Sequence, residues 1–174
     1  ISNSSKNFNL SDLKDNRRKD FDIFSFDRGG SLVAIGAYCL MPNHFHLLVT
    51  PVVENGLSKF MQKLSTGYSM YFNKKYKRTG VLFEGKFKSK HLNKDEYLKY
   101  IFSYIHLNPV KLIDKKWKEN GVSDKKRALD YLAEYKHSSY GEYAGLCKSK
   151  GILEQSKFPD YFPNQKSFNS EILN

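Results

Sequence analysis

At 174 residues the chain is long enough to bury a real core, and its length fits one domain over 1–174. Its 29 Lys and Arg against 18 Asp and Glu leave a net charge of +11, which favours a polyanionic partner, nucleic acid first. No stretch approaches 18 apolar residues, so no helix is expected to span a membrane.

Residues 1–20 (ISNSSKNFNLSDLKDNRRKD) are polar and charged, and read as a partial or irregular N-terminus with a short helical piece. They lack an initiator Met and a signal-peptide pattern, which fits either a truncated or a partly unseen N-terminus, with room for a strand out of view. FDIFSF (21–26) fits either a helix end or an edge strand, and Arg28-Gly29-Gly30 is a turn signal. SLVAIGAYCLMP (31–42) is apolar and β-compatible, with a break at Pro42-Asn43 before HFHLLVT. Strands at 32–40 and 44–50 should form an antiparallel pair at the centre of a sheet. Cys39 and Cys147 stand in no Cys-x-x-Cys pattern, which fits a reduced, cytoplasmic setting.

Asn55-Gly56 opens a helix running to about Tyr76. Leu57, Phe60, Met61, Leu64, Tyr68, Tyr71 and Phe72 recur at the spacing of one face. Its far end, NKKYKRTG, is a basic run that makes Lys74, Lys75 and Arg78 candidate phosphate contacts. In VLFEGKFKSKHL (81–92), Lys86, Lys88 and Lys90 alternate with Phe87, Ser89 and His91. Read as a strand, this puts three lysines on one face, either as a rail for DNA phosphates or as protection of an exposed edge. A helix then starts near Asp95 with Asn93 as candidate N-cap, and stops at Asn108-Pro109. Residues 111–136 read as charged and helical, HSSYGEYAG (137–145) as turns leading to a short helix, and 146–174 as an irregular polar tail.

Two places carry chemistry. In MPNHFHLLVT (41–50), strand alternation puts His44 and His46 on one face and Phe45, Leu47 and Val49 on the other. Two neighbouring imidazoles are either polar residues at a strand end or a pair of metal ligands. In YIHLN (104–108), Leu98, Ile101, Phe102 and Ile105 form the apolar stripe of the helix, and Tyr104 lies roughly 110° from its middle. Asn108 follows one turn later on the same side. Each has a plain explanation, a tyrosine at the core margin and a helix cap. Together with the histidines they supply a phenol that can attack a phosphodiester, and donors for a divalent ion that would help it. Two imidazoles leave positions open, and the Asn108 oxygen is a reasonable third ligand for Mg²⁺ or Mn²⁺.

AYCLMPNHFHLLV (37–49), GVLFEGKFKS (80–89), YIHLNPVK (104–111) and HSSYGEYAG (137–145) resemble, in their order, the single-tyrosine HUH transposases, specifically the REP-associated tyrosine transposase branch. The resemblance covers about 31–145. In that family His-hydrophobe-His binds the divalent metal, which maps to His44 and His46. The nucleophile opens a Tyr-x-x-x-Gln or Tyr-x-x-x-Asn motif, which maps to Tyr104 and Asn108. The resemblance implies an α+β fold of RRM/ferredoxin-like kind, an antiparallel sheet with helices on one face and the HUH strand central. It also implies cleavage and rejoining of single-stranded DNA near hairpins through a 5′-phosphotyrosine, by a monomer or a homodimer. The family's N-terminal strand is not evident in residues 1–20, and Asn108 in place of Gln points to the REP-associated branch. Tyr97 and Tyr100 are rival nucleophiles on the same helix. The competing readings are a non-catalytic nucleic-acid-binding domain with the same charge, and a metal-binding domain with other substrates.

Overall fold

Residues 2–6, 29–147, 151–162 and 164–173 are described by the computed structural model, so the readings for most of 1–20 and for FDIFSF lie outside the described residues. The apolar run after the glycine pair becomes strand β1 (Val33–Leu40), buried from Val33 to Cys39 as its unbroken apolar sequence requires. Pro42-Asn43 turns the chain, closed by Met41 N–H donating to His44 O at 2.8 Å, into β2 (Phe45–Pro51). The two form an antiparallel pair. Among the described residues the sheet has no third strand, and the one further bridge is between Cys39 and Ser138.

The chain clusters into two compact units and passes between them inside both strands. The first comprises the described residues of Ile1–Ala34 and Thr50–Lys90. Its main element is helix α1 (Gly56–Lys75), which buries Phe60 and Met61 near its start. Gly56 is required there: a Cβ at this position would stand 2.2 Å from the Leu32 carbonyl oxygen. Asn3 takes the place of a neighbouring strand, its carboxamide accepting from Leu32 and Val33 N–H and donating to Val33 O at 2.7–3.0 Å.

After α1 the sequence reading needs correction. Residues 81–92 form bends and irregular backbone, not a strand, and Lys86, Lys88 and Lys90 are all exposed there. Gly85 interrupts the run, and among the described residues no strand pairs with its N–H and C=O groups, so alternation has no described sheet to register against.

The second unit comprises Ile35–Val49 and the described residues of His91–Asn174. Helix α2 (Asp95–Leu107) opens with Asp95 and Glu96 at its positive end. Its N-cap is Lys94 in extended conformation with no side-chain cap, not Asn93. The α-helix ends at Leu107 as expected, but the chain continues directly as a 3₁₀ helix, Asn108–Leu112. Pro109 sits in that first turn, where its missing N–H is not needed, and Asn108 keeps helical angles ahead of it. The charged stretch divides at Gly121 into α3 (Trp117–Asn120) and α4 (Lys125–Glu134), the latter capped by Asp124 accepting from Arg127 N–H. α5 (Tyr140–Tyr143) follows the predicted turns.

The tail is the largest correction. Residues 155–157 form a 3₁₀ turn and α6 (Gln165–Glu171) a helix with a capping box between Asn164 and Ser167. Phe168 and Ile172 are fully buried with Leu107, Val110, Leu132 and Tyr140. Phe168 and Ile172, four apart and so on one face of a helix, were the signal in the sequence. Among the described residues no helix is long and apolar enough to cross a membrane.

Candidate active site

Three contacts fix how α2 presents its side chains. Phe102 and Ile105 pack with Ala37, Cys39, Met41 and Leu48 from the strands. Between them and the next turn, His106 is completely buried, its Nδ1 2.9 Å from Phe102 O and its Nε2 2.8 Å from Ser139 Oγ. With the proton on Nδ1 donated to Phe102 O, Nε2 is the acceptor for the serine hydroxyl. That hydroxyl also accepts from Tyr38 N–H at 2.9 Å, so one serine ties helix α2 to strand β1. Burial pushes the His106 imidazole down to about 4, only partly opposed by its bond to Phe102, so this histidine stays neutral and structural.

With the helix held so, Tyr104 lies half-buried beside β2. Its ring stands edge-on to His46, centroids 5.6 Å apart at 82°. His46 in turn meets His44 at 5.1 Å, the two rings perpendicular. His44 precedes the strand and is exposed, with Nδ1 2.7 Å from Asn43 Oδ1. Burial, then the neighbouring His44 and Lys118, hold His46 below the usual imidazole range, so it is neutral at neutral pH. Asn108 is 1 % exposed, and its Nδ2 has no hydrogen-bond partner of normal geometry.

Leu48, on the same face as His46, is the buried residue of the strand at 5 % exposure, while Phe45 and Leu47 are only half-buried. The histidine face therefore is the core face, and the imidazoles occupy its margin.

One residue was missed in the sequence. Lys118 Nζ donates to the Tyr104 hydroxyl at 2.5 Å and lies 4.3 Å from the ring centroid. It is placed by Trp117, which is buried and packs 6.2 Å from the Tyr104 ring. In KKWKEN nothing separates Lys118 from solvated charge; the lone tryptophan, needing burial, was the available signal. Partial burial pushes the phenol of Tyr104 up. The hydrogen bond from Lys118, the Asn108 carboxamide and the charges of Lys118 and Lys111 outweigh that and hold it below the usual range.

Tyr97 stacks on Tyr100 at 6.0 Å and Tyr100 on Tyr104 at 6.2 Å, so the three form a ladder of which Tyr104 is the rung that meets His46. The structure thus gathers His44, His46, Tyr104 and Asn108 in one unit. Lys74, Lys75, Arg78, Lys86, Lys88 and Lys90 belong to the other. Among the described residues, no three His, Cys, Asp or Glu side chains gather into a metal cluster.

A phenol, two imidazoles and an ammonium in one place suit nucleophilic transfer of a phosphoryl group. Residues 28–108 match the model of a family described as IS200-like transposases, a span a little under half the chain that includes both histidines, Tyr104 and Asn108. Over that span the chain is similar to the IS200-like transposases. Nothing among curated proteins matches the chain, and no solved structure does.

Proposed function

We propose that the chain is a metal-dependent single-stranded DNA endonuclease and strand transferase of the REP-associated branch, acting near hairpins through a covalent phosphotyrosine. The observation that carries this reading is the Tyr104 ring edge-on to His46 at 5.6 Å with the Lys118 ammonium on its hydroxyl. In the proposed step the Tyr104 oxygen attacks the phosphorus of the scissile phosphate. A phenol O–P bond forms as the bond to the 3′ oxygen breaks. The phenol proton passes to solvent and the 3′ oxygen takes one up, leaving a 5′-phosphotyrosine and a free 3′-OH. One phosphoester replaces another, so attack by the 3′-OH rejoins the strand without an external energy source.

Lys118 is a positioning residue in this scheme: it fixes the phenol oxygen and brings positive charge to where the phosphate would sit. His44, His46 and Asn108 would hold the divalent ion, Mg²⁺ or Mn²⁺. The donor set fits: His46 is held neutral by burial, and His44 with its Nδ1 proton given to Asn43 leaves Nε2 open. Asn108 is buried beside Tyr104, its amide N–H turned toward the phenol, and its carboxamide oxygen would be the third donor. When bound, the ion would polarise the phosphate and stabilise charge developing on it. In this reading β1 and β2 belong to an RRM-like sheet with the histidine strand central, and the lysines at 74, 75, 86, 88 and 90 and Arg78 hold DNA phosphates.

The test is incubation with a hairpin-bearing DNA strand and Mn²⁺ or Mg²⁺. A denaturation-resistant protein–DNA adduct should form, disappear on chelation, and be absent in Tyr104→Phe and His46→Ala. An equal adduct from Tyr104→Phe would remove Tyr104 as nucleophile. Salt-sensitive hairpin binding with no adduct under either metal would favour the non-catalytic binding domain instead.

A further inference from the structure

Helix α1 is 20 residues long, yet its buried residues, Gly56, Phe60 and Met61, all lie within its first two turns. Beyond them it carries aromatic rings into solvent. Tyr68, Phe72 and Tyr76 follow at four-residue spacing, with ring centroids 6.0 and 4.5 Å apart. Tyr71 sits beside Tyr68 at 6.5 Å. Tyr68 is 48 % exposed, and Tyr71 and Tyr76 each 57 %. Burial in the described structure gives no reason for so many large rings at one helix end.

The same end is basic. Between Glu54 and Glu84 the sequence holds no acidic residue, while Lys59, Lys63, Lys74, Lys75, Lys77 and Arg78 all fall within it. Lys75 Nζ lies 5.6 Å from the Tyr71 ring and 5.4 Å from that of Tyr76, and Arg78 lies 5.7 Å from Phe72. The turn that follows is tied back, Arg78 N–H to Asn73 O and Asn73 Nδ2 to Gly80 O, each at 2.9 Å. Phe83 then meets Tyr68 at 6.2 Å. The rings and cations are thus held on ordered backbone.

We infer that the C-terminal half of α1 is a stacking platform for the unpaired bases of a single nucleic-acid strand. Exposed rings offer a face to any unstacked base, and the lysines between them meet the phosphates. At 1.5 Å rise per residue, rings four apart advance by about 6 Å, near one nucleotide step of an extended strand. The bases of a duplex are stacked on each other and cannot use the rings, so the surface prefers a single strand. The inference rests on the single-stranded substrate of the reading above and not on its chemistry.

The experiment is fluorescence anisotropy of a labelled, hairpin-free oligo(dT) strand with chelator present, using the full chain. Tyr71→Ala and Tyr76→Ala should each weaken binding by about tenfold, within the range known for loss of one stacking ring. Tyr71→Phe and Tyr76→Phe should bind as the parent does, and Tyr71→Leu, which keeps apolar bulk, should fail as Ala does. A duplex should bind more weakly and be indifferent to these changes. Unchanged single-strand affinity in the Ala variants would overturn the inference, as would equal loss for the duplex. So would a sedimentation shift from dimer to monomer without loss of DNA binding, which would make a second copy of the chain the occupant. If the parent binds oligo(dT) through these rings yet never forms an adduct with a hairpin strand and Mn²⁺, the nicking reading fails and this one stands.

Discussion

The Nε2 of His106 and the hydroxyl of Ser139 meet at 2.8 Å in a space closed to solvent, and this contact sets the pose of the tyrosine helix. Ser139→Ala should strand the imidazole nitrogen and the Tyr38 N–H without partners. The expected loss is about 1–3 kcal/mol of stability, read by urea unfolding. Adduct formation should fall at the same time, because Tyr104 is two residues from the histidine that the serine anchors.

The same histidine makes stability pH-dependent. Its folded value is depressed to about 4 by burial against an ordinary 6.5, so below 6.5 the unfolded chain binds a proton that the folded one refuses. The His106 contribution is therefore full above about pH 6.5 and is lost as pH falls toward 4, amounting to about 3 kcal/mol by the linkage relation. Urea midpoints measured across this window should drop in the parent and drop less in His106→Gln.

Lys118→Ala should leave hairpin binding nearly unchanged and slow adduct formation by about tenfold to a hundredfold. Because the ammonium helps hold the Tyr104 phenol below its usual range, its removal should also move the alkaline limb of the rate profile to higher pH. Lys118→Arg should recover part of the rate. A variant with an unmoved pH profile and weaker DNA binding would make Lys118 a simple phosphate contact.

The two thiols should react very differently. Cys39 is buried in β1, and burial pushes its thiol up to about 12, whereas Cys147 is exposed. A thiol reagent at pH 8 should label one cysteine of the native chain, Cys147, and both in urea. Rapid labelling of Cys39 in the native state would contradict the placement of β1.

The tail should prove indispensable. Phe168 has no exposed surface and its ring meets those of His106, Tyr143 and Phe162 at 5.2–5.4 Å. Phe168→Ala should cost about 3–5 kcal/mol, and deletion of residues 151–174 should unfold the unit that holds the candidate site, as seen by loss of cooperative melting.

What the sequence disclosed followed the strength of its local periodicity. The helix bounds at 56–75 and 95–107, and the strands at 33–40 and 45–51, fell within a residue or two of their patterns because each has a long apolar run or stripe. The stretch 81–92 misled because alternating lysines look like a strand whether or not a partner exists to pair with it. Asn93 looked like a cap, but capping depends on backbone angles that composition does not specify. At the candidate site, His44, His46, Tyr104 and Asn108 were legible through their motifs. Lys118 was not, since its meaning depends on a fold-back of the chain between Asn108 and Trp117. The role of His106, within the same YIHLN motif, was equally hidden: only packing reveals that its partner is Ser139.

The shared face of His46 and Leu48 has a consequence for how the site keeps its aim. In a strand with a side-chain period of two, any slip by one residue would turn both to the opposite face at once. The penalty for such a slip is the exposure of Leu48, borne by the core and not by the chemistry. The direction of the imidazole is thereby policed by hydrophobic packing, which acts whether or not substrate or metal is present. Substitutions that conserve the core conserve the aim of the histidine without being selected to do so. A site laid out on the opposite face of the same strand, where Phe45, Leu47 and Val49 are only half-buried, would have had a weaker guard.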